Sequence, residues 1–328
     1  MVETVDRRVE ALARLDIFGQ CDAQELRPLA ERLQPLRARS GEVLMRQGNP
    51  ADQFLIVFAG SVEIHRRSSD GEEFRIEADS GRVVGEIALL RSAKRSATVT
   101  VTHDLTGWIG DGDAFDVLIE LPGVLDQLIR TARQRLAGFI TPVALQLKDG
   151  GHLLLRPSLP GDPASIENSH ITFSDETLYR RFQGARRPTP QLLRYLYEVD
   201  YVDHFVWVVV TTDGEPVADA RFVRDEDNPK RAEIAFIVAD DYQGKGIGTF
   251  LMGALWAAAR VAGVEVFHAR VLAHNSPMRA ILNHFGAQWR RDDLGVVVTE
   301  IEVPEADPFD AELTERIEEM ARRVLEAF

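Results

Sequence analysis

Two stretches of this chain set charged side chains beside glycines in a way suited to holding phosphate. The first is Gly85-Glu86-Ile87-Ala88-Leu89-Leu90, followed by Arg95-Ser96-Ala97-Thr98. A glycine opening a short helix lets the N–H groups of Ile87 and Ala88 face an anion, and the helix dipole adds favourable potential there. Arg95 then offers a planar fork of donors matched to phosphodiester oxygens. The second stretch is Gln243-Gly244-Lys245-Gly246-Ile247-Gly248-Thr249. Successive N–H groups from Gly244 to Thr249 can line a diphosphate, and the glycines permit close backbone approach. Its spacing is neither that of a Walker loop nor that of a dinucleotide fingerprint. Ten residues before Gln243 stands the carboxylate of Glu233.

The elements that must position these groups divide the chain in two. The first forty residues read as helix, with Leu26, Leu29, Ala30 and Leu33 at helical spacing and an Asp22/Glu25 capping box. From Glu42 to Ile109, short β-rich pieces between glycines predict a barrel or sandwich. Helices follow over 113–120 and 124–137, and Gly and Pro then gather between Pro142 and Pro163, placing a boundary near Gly150. Beyond it, Phe205–Thr212 and Pro216–Val223 flank Asp213-Gly214 as a hairpin. Ala232–Val238 reads as a strand that runs into the second glycine loop, and Phe250–Ala262 as an Ala-rich helix. A strand over 264–272, a helix over 277–285 and a strand over 296–303 complete a mixed α/β domain. The stretch from Glu300 carries ten acids against three arginines, yet Leu313, Ile317, Met320, Ala321 and Val324 keep a helical stripe. The expected fold class is therefore α+β in two domains.

Composition narrows the function. A net charge of -14 disfavours a polyanionic partner such as nucleic acid. The best apolar run, Phe205–Val210, is strand-sized, so no membrane span is expected. Cys21 is the single cysteine and can close no internal disulfide, and Arg7, Arg8, Glu10 and Arg14 break up any apolar leader; the cytoplasm is the expected compartment. The eight histidines lack metal-ligand spacing, so no metal site is expected.

The 85–99 stretch resembles the phosphate-binding cassette of cyclic-nucleotide-binding domains, a resemblance extending over roughly residues 15–137 through Gln47-Gly48-Asn49 and Gly60-Ser61-Val62. It implies that Gly85, Glu86, Ile87, Ala88, Arg95 and Ser96 bind the nucleotide, with Glu86 on the ribose 2′-hydroxyl. Ser96, rather than Thr, implies cyclic AMP. Arg133 or Arg135, with Arg135 the better placed, is the expected cover for the base.

The order around the second loop resembles the GCN5-related N-acetyltransferase (GNAT) superfamily over roughly residues 152–303. Gln243, Gly246 and Gly248 match its loop, Glu233–Val238 its fourth strand, and Asn275-Ser276-Pro277 its second coenzyme-contacting element. The resemblance implies acetyl-CoA as cosubstrate, bound by Phe236, Ile237, Val238, Gln243, Gly244, Lys245, Gly246, Ile247, Gly248, Thr249, Asn275, Ser276 and Arg279. A lysine amine is neutral in only ~1 in 2,500 molecules at pH 7, so a base is required, and the resemblance gives that role to Glu233. One departure stands out: many relatives carry Tyr where this chain has Leu282.

Joined in one chain, the two modules resemble the mycobacterial cyclic-AMP-responsive protein lysine acetyltransferases. That implies a regulatory domain over 1–140, a linker over 141–151, a GNAT domain over 152–303 and an acidic helical extension over 304–328. It also implies a protein lysine as acceptor, with acyl-CoA synthetases as partners through the likeness of Ile171–Pro188. Separately, the imidazole of His170 can imitate a substrate base and plug the amine site in a closed form, the alternative being an ordinary loop histidine. The alternative is a cyclic-nucleotide-regulated acetyltransferase of small amines. A transcription regulator would need a basic helix-turn-helix after the barrel, where this chain instead enters an acidic domain.

Overall fold

The computed structural model describes residues 4–67, 73–159, 162, 171, 173–183, 189 and 199–326. It separates into two compact units that meet in the chain between residues 139 and 140.

In the first unit α1 (Val5–Leu12) and α2 (Ala23–Arg32) precede a sheet. Asp22 accepts from the N–H groups of Gln24 and Glu25 while Glu25 returns a bond to Asp22 N, closing the expected capping box. Helix ends sooner than the sequence suggested, because β1 (Gln34–Ala38) already pairs with β6 (Thr98–Asp111). The remaining strands are β2 (Val43–Met45), β3 (Gln53–Arg67), β4 (Glu73–Ala78) and β5 (Val83–Val84), joined in the order β1-β6-β3-β4, with β2 on β6 and β5 on β3. β3 and β6 are long, not the short pieces expected. Gly60 does not end a strand; at φ +92° it takes up a register shift within β3. Between β5 and β6 lies the short α3 (Glu86–Leu90), and α4 (Gly112–Glu120) and α5 (Val124–Ala137) follow.

The second unit is built on one sheet in the order β13-β14-β12-β11-β10-β9-β8-β7. Its members are β7 (Val143–Gln146), β8 (His152–Pro157), β9 (His204–Val210), β10 (Pro216–Asp225), β11 (Asn228–Val238), β12 (Val266–Leu272), β13 (Arg290–Asp293) and β14 (Val296–Glu302). The expected linker over 141–151 is instead β7 and its turn into β8, and Gly150, at φ +86°, is the turn residue rather than a break between domains. The helices here are α6 (Asp175–Phe182), α7 (Ile247–Ala262), α8 (Ser276–His284) and α9 (Ala311–Leu325).

β9 is a nearly continuous apolar run, buried from Phe205 to Val210, and Trp207 Nε1 donates to Ala254 O of α7 at 2.9 Å. The acidic C-terminal helix is part of this unit. Its Ile317, Met320, Ala321 and Val324 are buried and it packs on α7, where Arg260 is held by Asp307 at 2.8 Å and by Glu318. Phe309 lies so close to Gly253 that a Cβ there would come within 2.6 Å of its ring, so only glycine permits that contact. No helix among the described residues is long and apolar enough to cross a membrane.

Candidate functional site

In the second unit the site is made by two strands that part. β11 pairs with β10 from Asn228 to Val238, but its parallel pairing with β12 stops at Glu233↔His268. Beyond Glu233 the edge of β11 facing β12 is unpaired, and a cavity of about 410 Å³ lies in the split. Such an edge offers N–H and C=O groups to an extended ligand. Phe236, Ile237, Val238, Gln243, Gly244, Gly246, Ile247, Gly248, Thr249 and Asn275 line the cavity with Glu233.

The loop after β11 ends in Gly246, which caps α7 at φ +93°, and Ile247, Gly248 and Thr249 of the first turn of that helix line the cavity. α7 is held close to α8, since a Cβ on Gly248 would meet Ile281 Cδ1 at 2.4 Å. Asn275 caps α8 by accepting from Met278 N at 3.3 Å.

α6 ties the two lips of the split together. At its N-terminus Ser174 N, Ser174 Oγ and Thr177 Oγ1 donate to Asp240 at 2.7, 2.8 and 2.9 Å. Burial would raise the pKa of Asp240, but these hydrogen bonds outweigh it and hold the carboxyl below its ordinary value. At the other end Gln183 donates to Arg270 O at 2.9 Å and accepts from Arg270 Nη1 at 3.1 Å. Gln243 belongs to this brace too: its Nε2 donates to Thr177 Oγ1 at 3.1 Å and Val238 O at 3.0 Å.

Three expected coenzyme residues do not line the cavity. Lys245 Nζ is paired with Asp149 Oδ2 at 3.0 Å. Arg279 turns to Ala273 O at 3.0 Å and lies over the Trp289 ring. Ser276 sits outside the lining, its Oγ 3.5 Å from His274 O. The sequence reading left out Lys148, Thr177, Tyr242, Met278 and Ile281, which do line it. Met278 and Ile281 were discoverable as one face of α8; Lys148 was hidden by the linker assignment. Leu282 is fully buried, so it is core and has no route to a leaving group. His170 lies outside the described residues.

In the first unit Gly85, Glu86, Ile87, Ala88, Arg95, Ser96 and Arg135 all line one cavity, together with Met45, Val84 and Phe139. Gly85 caps α3 at φ +94°, and a Cβ there would meet Arg95 Nη1 at 2.8 Å. Arg95 is buried, and its guanidinium donates to Gly85 O at 3.1 Å and Gln53 O at 2.5 Å, with Asp52 3.7 Å away. Burial lowers its pKa, against the opposing pull of Asp52 and Glu86. A bound anion would offset that desolvation by stabilising the charged guanidinium.

Arg135 differs from its expected role. Its Nη1 donates to Glu86 Oε1 at 2.5 Å and to Val83 O at 2.8 Å, with both side chains of the ion pair almost wholly buried. A guanidinium spent on a carboxylate inside the cavity is not a free platform for a base; it is the partner that makes burial of Glu86 tolerable.

Family models match both units: a cyclic nucleotide-binding domain over residues 35–121, and an acetyltransferase (GNAT) domain over 152–288. The chain is 50% identical to the acetyltransferase Pat of Mycolicibacterium smegmatis, over 100% of this chain and 99% of that protein. A solved structure of a cAMP-binding acyltransferase from Mycobacterium smegmatis is 47% identical, covering 100% of this chain and 99% of that one at a TM-score of 0.52. The cAMP-dependent protein kinase regulatory subunit of Dictyostelium discoideum is 35% identical over 40% of this chain and 41% of its own length.

Proposed function

Because the chain belongs to the family of cyclic-AMP-binding acetyltransferases, we propose that Glu233 is the base that readies a protein lysine for acetyl transfer, and that acyl-CoA synthetases supply that lysine. The chain is a GNAT acetyltransferase using acetyl-CoA, with cyclic AMP as its regulator.

Acetyl-CoA, when bound, supplies an activated thioester. The 243–249 loop and the N-terminus of α7 hold its diphosphate by backbone N–H groups, and the unpaired edge of β11 over Phe236–Val238 holds the arm and polarises the acetyl carbonyl. The observation carrying the role of Glu233 is its position: it is the last paired residue before the strands part, exposed and on the wall of the cavity. A carboxylate there would accept the proton of an incoming amine and leave the nitrogen lone pair free to attack the thioester carbonyl; as the amide C–N bond forms the C–S bond breaks, and CoA leaves as a thiolate that takes up a proton. Arg180, Arg181 and Arg270 share that wall.

In the first unit, Arg95 and the N–H groups of Ile87 and Ala88 hold the cyclic phosphate and Glu86 accepts the ribose hydroxyl. Arg135 on α5 is bound to Glu86 inside this cavity, so a nucleotide engaging Glu86 acts on the contact that holds α5 there.

Glu233→Gln should reduce kcat for a synthetase acceptor by about 10²–10⁴ while leaving the acetyl-CoA Kd near the parent value. A parent-like pH–rate profile in that variant would assign the base elsewhere. Comparing a synthetase protein with a panel of free amines, by thiol release, tests the acceptor class.

A further inference from the structure

We propose that Lys148, on the turn between β7 and β8, is a further acetyl-CoA ligand that neutralises the diphosphate in the 243–249 loop, with Asp149 the counterion that holds Lys245 until the donor enters. This rests on that loop being the diphosphate cradle.

Lys148 lines the same cavity as Gly244, Gly246 and Gly248, and its Cε lies 3.5 Å from where a Cβ on Gly246 would stand. Its stem therefore passes over the glycine that opens α7. The turn carrying it is fixed: Leu147 N donates to Gly151 O at 2.8 Å, Gly150 N donates to Leu147 O at 3.0 Å, and the Leu147 side chain is buried.

The loop's own cation is already engaged. Lys245 Nζ is 3.0 Å from Asp149 Oδ2 and 5.3 Å from the centre of the Tyr242 ring, while Gly151 N donates to Asp149 Oδ1 at 3.1 Å. The hydrogen bond from Lys245, followed by that from Gly151, keeps the Asp149 carboxyl below its ordinary pKa, so it stays charged at neutral pH. Lys148, by contrast, has no acidic partner among the described residues. In a chain of net charge -14, a diphosphate entering a cradle whose one lysine is neutralised needs another cation, and of the cations lining the cavity, Lys148, Arg180, Arg181 and Arg270, Lys148 is the one placed against Gly246. Once the diphosphate is seated, Lys245 can exchange Asp149 for phosphate oxygen, so Asp149 acts as a competitor built into the site.

Calorimetric titration of the full chain with acetyl-CoA and with its 3′-dephospho form tests this. Lys148→Gln should raise both dissociation constants by roughly fivefold to twentyfold, the worth of one charged hydrogen bond at a partly exposed site. Lys148→Arg should restore most of the loss, and Asp149→Asn should tighten binding by freeing Lys245. A Lys148→Gln penalty seen with acetyl-CoA and absent with the dephospho form would overturn the diphosphate assignment, as would an unchanged Kd for both. Gly246→Val separates the two levels. If it abolishes donor binding while Lys148→Gln does nothing, the Lys148 inference fails and the cradle stands; if neither variant weakens binding, the cradle fails as well.

Discussion

His204 makes the pH response of the second unit calculable. It opens β9, its Nε2 is buried without a hydrogen-bond partner, and its neighbours are Arg221 and Asp219 of β10, Asp200, and Arg181 of α6. Burial first, and then the Arg221 charge, lower its pKa from 6.5 to about 4. The unfolded chain therefore binds a proton in a range where the folded one refuses it. Stability is lost as pH falls from about 6.5 toward about 4, and the loss levels off below that. At 1.36 kcal/mol per pKa unit the loss reaches about 2 kcal/mol at pH 5 and about 3 kcal/mol below pH 4. Two measurements check this. The Cε1 proton of His204, assigned by its absence in His204→Leu, should titrate near 4 in NMR spectra. Hydrogen exchange in β9 and β10, which reports the second unit alone, should show parent stability falling by about 2 kcal/mol between pH 7.5 and pH 5 relative to His204→Leu. An imidazole titrating near 6.5, or equal pH slopes in parent and variant, would refute the reasoning.

Gly85→Ala should lower cyclic AMP affinity at least tenfold by calorimetry, because φ +94° costs a non-glycine residue ~1–2 kcal/mol and the new Cβ displaces Arg95. Asp240→Ala removes the acceptor of three hydrogen bonds and should cost roughly 1–3 kcal/mol of local stability, read as faster amide exchange over α6. Installing the tyrosine of many relatives, Leu282→Tyr, should lower Tm instead of raising kcat, since that position is fully buried and overpacking costs ~1–3 kcal/mol.

Much of the site was legible because glycine announces backbone requirements in its own letter. Gly85 opens a helix at positive φ, as its sequence context implied, and the Asp22/Glu25 box and the Asp213-Gly214 hairpin fell where short-range rules put them; Gly246 also takes positive φ, but the helix it opens begins at Ile247 and not at the expected Phe250. The same letter misled where a glycine serves a bulge or a turn: Gly60 lies inside β3, and Gly150 joins two strands of one sheet. Side-chain partners were harder to read. Nothing local to Arg135 says that it closes on Glu86, 49 positions away, and nothing near Lys245 says that Asp149 holds it. Such pairings are long-range choices of the folded chain, and spacing along the sequence does not encode them.

The pairing of β7 with β8 decides where this polypeptide can be cut. A fragment starting at residue 152 would strip a neighbour from a strand whose Leu153 and Leu155 are buried, leaving a raw apolar edge open to self-association and removing Lys148. A catalytic fragment meant to stay monodisperse should begin near residue 140, where the chain itself changes hands between its two cores.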